Sequence, residues 1–297
     1  MTARREQRRP VWMDEPSAVV QLLKIVVIAV IVVVMLYPFL YVVASSFATP
    51  EAATAGGLLP TQFSLEAYRN IFAGDVVTHA LLVSVGITVV GTVLSVTLTV
   101  TTAYGLTRTR DVPGSRFALY LVLLTMLFGA GIIPQYLLVR SLGLINSYWS
   151  LILPGLLSAF NLIVVRNFFM NIPRDILESA RMDGAAEPSI LGRIVLPLSK
   201  PVVAVVALFY AVGYWNNFFN AMLYLNDNAK WPIQQVLNHY VVQGVQLSTV
   251  QDVHQVAPPP QTIQMAVVVL ATVPILVVYP FAQRYFTQGV LTGAIKG

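Results

Sequence analysis

Residues 22–47 run for about 26 positions with Lys24 as the only charge, and at roughly 1.5 Å rise per residue a helix of this length exceeds the roughly 30 Å hydrocarbon core of a bilayer. Lipid offers backbone amides no partners, so such a run crosses a membrane only as a helix that satisfies its own backbone. The signal repeats at residues 81–106, 117–139, 148–169, 201–225 and 263–286. The chain therefore reads as an all-α membrane protein with six transmembrane helices. With 57% hydrophobic and 10% charged residues and a mean hydropathy of +0.73, it is excluded from the soluble globular class.

Charge decides the orientation. The 18 Lys and Arg flank the apolar runs and form no continuous stripe, which argues against nucleic acid as a partner despite the net charge of +5. With the N-terminus inside, only Arg69, Arg140 and Lys230 fall outside, so both termini are expected in the cytosol. Residues 1–21, with Arg4, Arg5, Arg8 and Arg9, read as a cytosolic tail, because the apolar run that follows is too long for a signal peptide. Residues 287–297 form the second tail.

Within this frame the second run, rich in Val, Thr, Ser and Gly, is expected to pack centrally, since small residues let helix backbones approach closely in lipid. Pro38 is expected to kink the first span and Pro134 to bend the third. Residues 142–147 make a tight outer turn, and residues 226–262 a long outer loop. His79, His239 and His254 lie far apart, no metal site is expected, and zero cysteines remove disulfides and thiolate chemistry.

No Asp or Glu falls within a span, which disfavours proton-coupled transport. The chain has no Gly-Lys pair and hence no P-loop, so energy for active transport would come from a separate subunit; no cofactor is expected. Polar groups concentrate in the fifth span. Tyr210, Gly213, Asn217, Asn220 and Tyr224 fall on one face at about 100° per residue, with Asn216 at its edge. They either line a translocation path, where amides bond sugar hydroxyls and tyrosine rings pack on pyranoses, or tie neighbouring helices together. Gln135, Tyr136 and Asn161 are further candidates.

Residues 171–201 form the longest charged interval with helical signals of its own. Pro173 and Asp175 start one short helix, Gly184 ends it, and Glu187 and Pro188 start a second that is expected to stop before Pro197. The product, helix, glycine bend, helix, leaves an apolar face beside Glu178 and Arg181.

Glu178, Ser179 and Ala180, then Gly184, then Ile194, Leu196 and Pro197 resemble the EAA loop of ABC importer permeases at every gap, with Ser179 where the family usually has Ala. The stretches ALFYAVGYWNNFFNAMLYL and YPFAQRYFTQGVLTGAIKG resemble the carbohydrate-uptake branch, especially the polysaccharide, aldouronate and lipoprotein-associated permeases. The likeness extends from Pro38 to Gly297. It implies a type I importer fold with residues 79–286 as the homologous unit, in a bacterial cytoplasmic membrane. It also implies a second, non-identical permease, two copies of a cytosolic ATPase and an extracytoplasmic sugar-binding protein. The loop, Asp183 included, would dock on the ATPase, and the C-terminal Gly289, Gly293, Lys296 and Gly297 would reach the same interface. ATP-driven closure of the ATPase pair would then rock the spans from inward-facing to outward-facing. A permease for another small solute, or a membrane scaffold, remain alternatives; with only Arg140 and Arg166 near span ends, the chain leans toward a neutral solute.

Overall fold

The structure, a computed structural model, describes residues 17–54, 62–108, 113–242 and 260–294, with the backbone alone given beyond Pro280. The described residues are helical apart from connections and a single bridge between Ala48 and Phe63. In chain order they form α1 (Ala18–Ser46), α2 (Glu66–Ala73), α3 (Asp75–Leu106), α4 (Ser115–Leu127), α5 (Ile132–Ser141), α6 (Trp149–Gly155) and α7 (Ala159–Met170). There follow α8 (Arg174–Met182), α9 (Glu187–Leu198), α10 (Lys200–Trp215), α11 (Phe218–Tyr224), α12 (Ile233–Val241) and α13 (Gln261–Ala294). All six apolar runs are helical, yet only α1, α3 and the apolar part of α13 are continuous helices long enough to cross a membrane.

The other three runs depart from the straight spans expected of them. The third breaks into α4 and α5 around the non-helical residues 128–131, three residues before the bend expected at Pro134. A continuous helix would place the Pro134 ring against the Ala130 carbonyl, whereas in the first turn of α5 the missing amide is tolerated. Gly131 supplies the break with φ 81°, a backbone angle that side chains disfavour. The fourth run bends by 48° between α6 and α7, where Pro154 and Gly155 end one piece and Ser158 caps the next by accepting from the Asn161 amide. The fifth is interrupted at Asn216 and Asn217, and 216–217 separate α10 from α11.

The centre of the bundle is α3, as its composition predicts. Ser84, Ile87, Gly91, Ser95 and Thr99 recur at three- and four-residue spacing and are all buried. Against this stripe lies α10. The Tyr214 ring rests on Gly91, where a Cβ would stand 2.7 Å from it, and the Tyr214 hydroxyl bonds Ser95 Oγ at 2.8 Å. One turn along, Tyr210 bonds Thr99 Oγ1 at 2.7 Å. Glycine and hydroxyl side chains thus make a groove that two tyrosines fill and hydrogen-bond.

Helix α1 lies along α13 and is buried only at its end, where Ser46 Oγ bonds the Tyr68 hydroxyl at 2.8 Å and Phe47 stacks on Tyr68 at 5.0 Å. At that same end of the bundle the 226–242 segment folds back on α3: Ser84 accepts from the Ile233 amide at 2.7 Å, and His79 Nε2 pairs with the Ala229 carbonyl at 2.9 Å. His239 stacks on Trp231 at 4.3 Å. His254 lies outside the described residues, as do the basic positions Arg4, Arg5, Arg8 and Arg9.

Candidate functional site

The 171–201 interval forms the expected hairpin at the other end of the bundle. Pro173 precedes α8, and Asp175 sits in its first turn, where a negative charge suits the helix dipole. Its exit is a closed hydrogen-bond motif: the Ala185 amide donates to the Ala180 carbonyl at 3.0 Å and the Gly184 amide to Arg181 at 2.9 Å, with Gly184 at φ 78°. The bend therefore depends on glycine for its angle and on two otherwise orphaned carbonyls for its closure.

The second arm does not stop before Pro197. It runs on to Leu198 because residues 191–195 widen into a π turn, in which the Leu196 amide reaches back five residues to the Leu191 carbonyl. That wider turn accommodates the proline ring and its missing donor. An 87° bend at Ser199 then leads directly into α10.

The two arms differ in role. Helix α9 is anchored, with Ile190 and Val195 fully buried and Ile194 and Leu196 packed on the core. No residue of α8 is fully buried. Glu178, Ser179, Asp183 and Gly184 are exposed, Met182 is 88% exposed, and Ala180 is half-buried with Leu177 toward the core. The EAA-like residues thus divide: Ile194 and Leu196 fasten the hairpin while Glu178 and Ser179 face outward, and Pro197 is exposed beside them.

A charged cluster that the sequence did not single out sits where the arms meet α3. Glu187, the first residue of α9, pairs through Oε2 with Arg108, just past the end of α3, and accepts from the Tyr104 hydroxyl. Arg108 donates to the Tyr104 hydroxyl at 2.8 Å and lies 4.9 Å from the centre of its ring. Through Oε1, Glu187 accepts from Arg181 Nε of α8 at 3.2 Å. The Arg108 hydrogen bond is the largest reason that the Glu187 carboxyl falls from 4.5 to about 2; partial burial opposes this, and Tyr104 and the Arg181 charge add to it. The detectable signal was spacing: Arg108 follows Tyr104 by four residues on one helix face.

Where the helices break, a cavity of about 480 Å³ opens, inside the range of roughly 300–1,000 Å³ common for small-molecule sites. It gathers Gln135, Asn161, Tyr210, Asn217 and Asn220 from four separate segments, together with Tyr214 and Ser158, which the sequence had not marked. Tyr210 is held by Thr99 and by the Ser158 amide, which donates to its hydroxyl at 2.9 Å, and Asn217 Nδ2 donates to the Leu151 carbonyl at 3.4 Å. The wall carries amides and hydroxyls and no charged side chain.

Tyr224 does not join this group. The interruption at Asn216 and Asn217 ends the single helical face, and Tyr224 is instead buried and stacked on Tyr136 at 6.1 Å. Arg166 faces away from the cavity to donate to the Leu106 carbonyl at the end of α3, at 2.9 Å. No cluster of three or more His, Cys, Asp or Glu suited to a metal occurs among the described residues. Gly289 and Gly293 lie in the last turns of α13, whereas Lys296 and Gly297 lie outside the described residues.

Comparison with known proteins locates this arrangement. A family described as the binding-protein-dependent transport system inner membrane component matches residues 112–292. The chain is 51% identical to the polygalacturonan/rhamnogalacturonan transport system permease protein YtcP of Bacillus subtilis (strain 168), over 88% of its own length and 92% of the relative's. It is 49% identical to protein LplC of the same organism, over 88% and 89%. A solved bacterial ABC transporter involved in the import of the acidic polysaccharide alginate contains a chain that superposes with a TM-score of 0.84 at 30% identity, covering 93% of this chain and all of that one.

Proposed function

Since the chain belongs to the binding-protein-dependent transport system inner membrane component family, and is thus a multi-pass permease subunit of an ABC importer, we propose that its cargo is an oligosaccharide released from a polysaccharide. The uncharged polar cavity carries this reading, because sugar hydroxyls both donate and accept and are met there by Gln135, Asn161, Asn217, Asn220 and Ser158, with the Tyr210 and Tyr214 rings alongside. The names of the relatives support a polysaccharide origin. Recognition of any carboxylates on an acidic sugar then belongs to other subunits, which agrees with the neutral character of this wall.

The exposed face of α8 serves as the contact with a separate ATP-hydrolysing subunit, two copies of which act with this chain, a second, different permease and an external binding protein. The hairpin and both termini face the cytosol. Gly289 and Gly293, near the end of α13, extend toward the same interface.

The test is a reconstituted complex carrying Glu178→Lys or Gly184→Trp. Both variants insert in the membrane, since neither position is buried, but lose the stimulation of ATP turnover by loaded binding protein. Stimulation at the wild-type level in both would refute the coupling role. Orientation follows from a cysteine at Asn228, labelled by an impermeant reagent in intact cells, against one at Ser189, protected there; the opposite pattern reverses the topology.

A further inference from the structure

Glu187 belongs to three elements at once. It begins α9, which bends into α10; its Oε1 holds Arg181 of α8; and its Oε2 holds Arg108 and Tyr104 at the end of α3. Helices α3 and α10 are already joined higher up, at Tyr210 with Thr99 and at Tyr214 with Ser95. Gly91, Ser95, Thr99, Tyr104 and Arg108 recur along α3 at intervals of four and five residues, so the three junctions form one seam from the hairpin to the cavity wall.

We propose that Glu187 and Arg108 are positioning residues that fasten the hairpin to the α3–α10 pair, so that displacement of α8 moves the cavity wall as one rigid piece. The assignment rests on reading α8 as the ATPase contact. Without the Glu187 bridge, α8 would be held by the apolar contacts of Leu177 and Ala180, the glycine bend and the 87° turn, and the bend and turn can absorb movement as hinges. With it, the carboxylate spans the gap and each of its oxygens holds one side. Arg108 joins both partners through one nitrogen, since Nη2 donates to the Tyr104 hydroxyl and to the Glu187 carboxylate.

The cysteine-free chain allows a direct test in the complete complex with its partner permease, ATPase and binding protein. A cysteine at Phe160, exposed on the cavity wall, is labelled with a thiol reagent in the nucleotide-free state and after trapping with ATP and vanadate. In the parent the rate is expected to change by about tenfold, and in Glu187→Ala and Arg108→Ala by less than about twofold, while basal ATP turnover and assembled yield stay near the parent's. The double variant is expected to be no worse than Glu187→Ala alone, since both changes break the Glu187–Arg108 bond. Unchanged switching in the single variants, or independent effects that multiply in the double variant, would overturn the proposal. So would a switch that is normal per assembled complex with only the yield reduced, which marks a purely structural bond. Glu178→Lys separates the underlying reading: if it abolishes switching while Glu187→Ala does not, the joint alone fails, and if it too leaves switching intact, the docking role of α8 fails with it.

Discussion

Residues 75–106 and 115–141 are consecutive apolar stretches separated by eight residues in the sequence, and they end in opposite conditions. The first is one continuous helix whose buried stripe is met by tyrosine rings and hydroxyls from α10. The second is two helices around a non-helical break, and residues 123–134 are exposed on every side. Apolarity does not distinguish them, since both are read as membrane by any hydropathy measure. The distinction lies in side-chain size and hydroxyl content: Gly91, Ser95 and Thr99 admit another helix, while Phe128, Ile132 and Ile133 are exposed among the described residues. In lipid, where water does not drive helices together, close approach decides which helices pair. One region is packed within the chain, and the other leaves a broad apolar surface exposed.

The strongest way to break this contrast is to add volume to each region. Gly91→Leu forces the Tyr214 ring out of contact and is expected to destabilise the purified protein by about 1–3 kcal/mol or more, read as a fall in detergent melting temperature. Gly129→Leu meets no atom within 4 Å and is expected to leave the melting temperature of the chain unchanged. Equal losses would show the two regions to be alike.

Removing hydroxyls probes the same seam more gently. Tyr210→Phe leaves the Ser158 amide without its acceptor and Thr99 without its partner, an expected cost of about 1–3 kcal/mol in thermal or denaturant unfolding. Thr125→Val in the third run removes only a bond to the Val122 carbonyl within its own helix, and its effect is expected to fall within about 0.5 kcal/mol. At the cavity, Asn217→Leu and Asn220→Leu are expected to lower uptake by roughly tenfold, about 1.4 kcal/mol of lost solute stabilisation, with assembled yield intact. A fall in yield with normal uptake per complex would make both residues helix ties instead.

The smallest expected effect concerns pH at the base of the seam. The Glu187 carboxyl is held at about 2 when folded against an ordinary 4.5, so its stabilisation is complete above about 4.5 and disappears as pH falls toward about 2. The gap in melting temperature between the parent and Glu187→Gln is therefore expected to be constant from pH 5 to 7 and to close on acidification below 4.5. A gap that widens on acidification would remove the ion pair from the account.

Much of this was legible before any coordinates. Helical period and proline and glycine placement located the hairpin to within a residue or two, because capping chemistry is local and acts through neighbours in sequence. The small residues of α3 announced its central place because they let other helices approach closely. What was hidden were the interruptions. Gly131, Pro154 and Asn217 each look compatible with a kinked but continuous helix, and only the packing of several segments around a shared cavity determines that the chain opens there. Tyr224 was misplaced on that account, since a helical wheel drawn through Asn217 carries no information past the break. The π turn at 191–195 escaped likewise, as proline normally ends a helix and the wider turn that spares it leaves no mark in composition.

The break at 128–131 bears on how long an unaccompanied copy survives. Among the described residues the amides of 129–131 find no acceptor, and α4 with 13 residues and α5 with 10 each fall short of the roughly 20 needed to span a bilayer alone. Bare amides in hydrocarbon cost several kcal/mol each, so wherever lipid meets this break an unassembled copy presents a polar flaw. Such a flaw is expected to shorten the life of an unassembled copy and to be relieved when the break is covered. The expected sign is a pulse-chase half-life that lengthens when the proposed second permease is co-expressed and stays short when only the proposed ATPase is. A half-life indifferent to both would mean that the break is no liability in the membrane.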